Sequence, residues 1–66
     1  NNAREFKQNE QSIRKRITIA EREGNKSASL NARAALMKLY AEAQAKGLND
    51  MIPAWAREQL PVVAGG

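Results

Sequence analysis

The spacing of apolar residues in the first third of the chain constrains the fold more than any other feature. Between Ala3 and Ala20 these residues recur at alternating intervals of three and four, with one interruption at Glu10. Such spacing is typical of a heptad seam along one side of an α-helix. It predicts a helix over about residues 3–23. A strand over residues 16–20 is the competing interpretation, because polar and apolar residues alternate there, but it explains only that short stretch.

The apolar side of this helix is the surface that we expect to contact another helix. This seam consists of Phe6, Ile13, Ile17 and Ala20. Glu10 would place a charge within it, and burying an unpaired carboxylate is costly. We therefore expect the seam to be continuous only from Ile13 onward, with Phe6 making a separate contact. Glu10 would pair instead with Arg14, four residues further along the helix.

Two glycines divide the chain into three segments. Gly24 and Gly47 are predicted to end helices, because glycine adopts the left-handed conformation just past a helix end without steric cost. A second helix is predicted between them, over about residues 29–46. Ser27 or Ser29 is the predicted N-cap of this helix.

The second helix is apolar on two faces. The first face consists of Ala32, Leu36, Leu39, Tyr40 and Ala43. The second face consists of Leu30, Ala34, Met37, Ala41, Ala45 and Leu48. A helix with two apolar faces usually packs between two partners. We expect the third segment to cover the second face.

The third segment predicts a short helix over about residues 51–60, with Asp50 as its cap and Pro53 in its first turn. Ile52 and Trp55 are its predicted anchors. For Trp55 a place in the core is the favoured interpretation, and a binding hot spot is the alternative. The chain would then end in a loose tail after Pro61.

These segments together predict an all-α fold, a helical hairpin with a short third helix. Residues 1–66 would form a single small helical domain or a fragment of a larger chain.

Five cationic side chains converge on the first helix, away from the seam. At about 100° per residue they share an arc of about 100°, centred roughly 130° from the seam. This basic arc consists of Arg4, Lys7, Arg14, Lys15 and Arg22. Arg16 points elsewhere. The arc is either a solvated face, screened along its edge by Glu10 and Glu21, or a set of phosphate contacts for nucleic acid.

Composition argues against catalysis. The chain has no cysteine and no histidine, and its serines have no evident base nearby. We therefore expect no enzymatic activity, no cofactor, no metal site and no small-molecule ligand. No apolar run approaches the roughly 20 residues that a membrane span requires, so we expect none.

The size of the chain favours a role in binding. A core built from 66 residues, with no disulfide to reinforce it, is small. The sequence therefore predicts a non-enzymatic helical module for protein–protein interaction or assembly, stabilised by a protein partner or by self-association. A small basic nucleic-acid-binding protein is the alternative. An intracellular location, or a place within a macromolecular assembly, fits both.

Overall fold

The computed structural model describes residues 1–61. Two long helices, α1 (Asn2–Arg22) and α2 (Lys26–Ala45), form a hairpin. A single 3-10 turn (Asn49–Met51) and a short helix, α3 (Ala54–Arg57), follow. This part of the chain contains no strand, which confirms the predicted all-α hairpin and rules out the strand interpretation of residues 16–20. The prediction of a loose tail falls on residues 62–66, outside the described part.

Both long helices end at a glycine, as predicted. Gly24 has a φ of +69° and Gly47 has a φ of +78°. After α1, the N–H of Asn25 donates to the carbonyl of Ala20 at 2.8 Å, and the N–H of Gly24 donates to that of Glu21 at 3.1 Å. The same pair of bonds closes α2 at Gly47. This is the Schellman arrangement, which satisfies the last carbonyls of a helix.

Asparagine side chains begin both helices. The Asn1 side chain accepts a hydrogen bond from the N–H of Arg4, and the Asn25 side chain accepts one from the N–H of Ala28, both at 3.1 Å. The prediction of Ser27 or Ser29 as the cap of α2 is therefore wrong. The turn between the helices is so short that Asn25 closes α1 through its backbone and opens α2 through its side chain.

The third helix is present but shorter than predicted. Pro53 disfavours helical geometry at the residue before it, and Ile52 is accordingly extended, with φ −91° and ψ 127°. The break separates the 3-10 turn from α3. Asp50 lies within the 3-10 turn and makes no capping hydrogen bond. The prediction of Asp50 as a cap is therefore wrong, and the predicted helix over residues 51–60 is a 3-10 turn followed by the shorter α3.

One core joins α1, α2 and the third segment. Its buried side chains are Phe6, Leu36, Tyr40, Ala43, Ile52 and Ala56. The α2 residues among them belong to its first face, so the third segment packs beside α1 on that face. The expectation that it would cover the second face of α2 is wrong for most of that face. Only Met37 and Leu48 of the second face pack against the core.

Candidate interaction surfaces

The predicted seam of α1 is used within the hairpin. Phe6 and Ala20 are buried, and Ile13 and Ile17 are half-buried and pack against the core. The structure thus brings all four residues to the α1–α2 interface. A protein partner would therefore have to contact an apolar surface elsewhere on the folded chain.

Glu10 is part of the seam and does not interrupt it. The hydroxyl of Tyr40 donates a hydrogen bond to the Glu10 carboxylate at 2.7 Å. Tyr40 is itself buried, so a polar link between α1 and α2 continues the line of apolar contacts. The expectation of a seam continuous only from Ile13 is therefore wrong, and no ion pair joins Glu10 to Arg14 within the described chain.

The environment of Tyr40 favours its neutral form. Burial is the main cause that raises the pKa of Tyr40 well above its usual value. The hydrogen bond to Glu10 and the negative charge of that carboxylate raise it further, and the positive charge of Arg14 opposes them. A neutral hydroxyl is the form that donates to Glu10, and the raised pKa keeps that proton on Tyr40 across ordinary pH.

Most of the second face of α2 is exposed. The side chain of Leu30 is 68% exposed, and Ala34, Ala41 and Ala45 are exposed along the same side of the helix. Met37 is half-buried at the margin of this surface. We call these five residues the outer face of α2. It extends over about four helical turns, or about 22 Å, without a covering element among residues 1–61.

An open concavity lies at one end of the outer face, beside the hairpin turn. Leu30 and Lys26 line it from α2, and Ala20 and Glu21 line it from α1. Its position next to the most exposed large apolar side chain of the described chain offers room for an apolar group of another molecule.

Cations border the outer face on both sides. Lys26 lies one turn before Leu30, and Arg33 lies three residues after it. Lys38 lies within one turn of both Ala34 and Ala41. Glu42, next to Ala45, is the single acidic residue of α2.

The basic arc of α1 is exposed along its whole length, at Arg4, Lys7, Arg14, Lys15 and Arg22. None of these side chains forms an ion pair within residues 1–61. Glu21, which was expected to screen the edge of the arc, forms an ion pair with Arg33 of α2. Glu10, the other expected screen, accepts its hydrogen bond from Tyr40. Both carboxylates are thus held toward α2.

Arg16 lies apart from the basic arc. It lines a groove on the hairpin with Asn31, and a second groove with Lys38 and Glu42. Glu10 and Glu21 contact α2 from the other edge of the seam. That edge is the one next to the basic arc. Arg16 and the basic arc therefore lie on different sides of α1, as predicted from helix geometry.

Trp55 lies at the surface of the third segment. It is 50% exposed, and its ring packs edge-on against Tyr40 with centroids 5.9 Å apart. The interpretation of Trp55 as a core residue is wrong, because Ile52 and Ala56 fill that role. Its use as an anchor for a partner stays a prediction.

No helix within residues 1–61 has the length and apolar character to cross a bilayer. The same residues hold no group of three acidic, cysteine or histidine side chains placed to bind a metal ion.

No family model, curated protein or solved structure matches the chain.

Proposed function

We propose that the chain is a non-enzymatic helical module that binds a protein partner through the outer face of α2. The observation that carries this proposal is the exposure of Leu30, Ala34, Ala41 and Ala45 on a helix whose first face packs in the core. Apolar surface left in water has no stabilising role within the chain. Burying it against a partner would remove it from water and stabilise the complex.

Site-specific photo-cross-linking in extracts of the source cells tests this proposal. A photoreactive side chain at Ala34 or Ala41 should yield the same protein adduct, and one at the exposed Glu5 of α1 should not. The partner protein identified from this adduct should, once purified, form a complex with the unmodified chain in sedimentation experiments. Adducts that are equally strong at Glu5, or a purified protein that does not bind, would contradict the proposal.

Nucleic-acid binding by the basic arc is the second candidate function. It is favoured by the exposure of all five cations and by the engagement of Glu10 and Glu21 with α2. Three to five phosphate contacts would give a logarithmic salt slope of about −3 to −4. No aromatic residue lies within the arc itself, so duplex DNA is a better probe than a single strand.

Titration with duplex DNA between about 50 and 300 mM salt tests the second candidate. The double variant Arg14→Gln/Lys15→Gln should reduce the magnitude of the slope by about two. Arg16→Gln, on another side of α1, should change it much less. A parent chain without salt-dependent binding would identify the basic arc as a solvated face.

A further inference from the structure

We propose that the outer face of α2 binds an amphipathic helix with acidic flanks on its partner. This inference rests on the proposed function and specifies the chemistry of the partner. An elongated apolar line about four turns long is the shape that a helix fills with residues spaced three and four apart. Alanine at Ala34, Ala41 and Ala45 allows the axis of the second helix to approach closely, toward the lower end of the usual 8–10 Å range.

The exposed large apolar side chain on this face is at its N-terminal end. Leu30 projects beside the concavity lined by Ala20 and Lys26. An apolar side chain of the partner can occupy this concavity and contact Leu30. The contact fixes the position of the partner helix along α2.

The flanking charges decide what kind of helix fits. Lys26 and Lys38 lie on either side of the apolar line, and both are exposed. Arg33 lies between them in sequence, paired with Glu21. Glutamate or aspartate beside the apolar stripe of the partner would meet Lys26 and Lys38, as charged residues do at the flanks of coiled-coil seams.

The same charges argue against a second copy of this chain as the occupant. In a two-fold contact the same patch meets itself. A contact between two outer faces would then bring together two copies of Lys26 and Lys38, with one acidic residue per α2, Glu42, to offset them. Like charges placed opposite each other disfavour such a pair.

Two synthetic peptides of about three heptads test the inference. Both carry leucine at the a and d positions. One carries glutamate at the e and g positions, and the other carries lysine there. Fluorescence anisotropy of the labelled peptides should show the glutamate peptide binding at least about tenfold more tightly, with an affinity that falls as salt increases. Leu30→Gln should weaken this binding.

Two chain variants with equal net charge provide the matched control. Lys26→Gln/Lys38→Gln removes two cations beside the outer face, and Arg4→Gln/Lys15→Gln removes two from the basic arc. The first should weaken binding of the glutamate peptide by about tenfold, and the second by less than about twofold.

Equal losses in the two variants would show general charge attraction and overturn the inference. Equal binding of both peptides would overturn the acidic partner while leaving the outer face as a docking surface. If neither peptide bound, the inference would fail, and the cross-linking experiment would decide the proposed function separately.

Discussion

The link between Glu10 and Tyr40 shows how a charged residue can occupy a seam position. Glu10 is half-buried and Tyr40 is buried, and the hydroxyl of Tyr40 satisfies the carboxylate across the helix interface. The ring of Tyr40 also lies 6.0 Å from that of Phe6 between centroids, so the same side chain supplies apolar packing and a polar contact.

Removing either partner of this link should destabilise the hairpin. Tyr40→Phe leaves Glu10 without its donor, and Glu10→Leu leaves a buried hydroxyl without its acceptor. We expect each change to cost about 1–2 kcal/mol of unfolding free energy. The double variant should recover to within about 0.5 kcal/mol of the parent, because no polar group is then left unsatisfied. Urea denaturation of the four proteins measures this cycle, and additive losses would contradict it.

High pH should weaken the fold through Tyr40. Burial, followed by the hydrogen bond to Glu10 and its charge, raises the pKa of Tyr40 in the folded state. Above about pH 10 the unfolded chain loses the phenol proton while the folded chain retains it. The unfolded state then binds fewer protons, so unfolding free energy falls as pH rises.

Urea denaturation between about pH 9 and pH 11 tests this dependence. Tyr40 is the single tyrosine of the chain, so Tyr40→Phe is a direct control. The parent should lose more stability than the variant over this range, and parallel curves would show that Tyr40 does not contribute.

At the scale of single elements, α1 has one side that packs and one that does not. Ile13 and Ile17 pack against the core, and Ile19 is 42% exposed on another face. Ile13→Asp and Ile17→Asp should each cost about 2 kcal/mol or more, because they place a carboxylate at the hairpin interface. Ile19→Asp should cost less than about 1 kcal/mol. Thermal unfolding followed by circular dichroism measures all three, and equal losses would mean that the seam is misplaced.

The elements could be predicted where local physics decides them. Apolar spacing predicted α1 and α2, and the conformational freedom of Gly24 and Gly47 predicted their ends. The predicted start of α2 is three residues late, because asparagine and serine cap helices about equally well and Asn25, Ser27 and Ser29 lie close together. The predicted third helix is too long, because Pro53 holds Ile52 in an extended conformation and so breaks the segment.

At the scale of the whole molecule, the candidate surfaces could be predicted only in part. The basic arc could be predicted from helix geometry alone, and its five residues are exposed. The partner of Glu10 could not be predicted, because Tyr40 lies 30 residues away and the pairing depends on the register between the helices. The uncovered outer face of α2 could not be predicted for a similar reason, because it depends on where the third segment packs. Two features of the sequence indicate that this face could remain uncovered. It is rich in alanine, and the third segment is too short to cover both faces of α2.

Helix α2 has one face packed in the core and another left open, and a pair of substitutions two residues apart tests this arrangement most directly. Ala43 is buried at 2% exposure, and Ala41 is exposed on the outer face. Thermal and urea unfolding should show that Ala43→Gln costs about 2 kcal/mol or more, because the larger polar side chain cannot enter the packed interface. Ala41→Gln should cost no more than about 0.5 kcal/mol, the difference in helix propensity. Comparable losses in the two variants would show that the second face is covered, and would contradict the account.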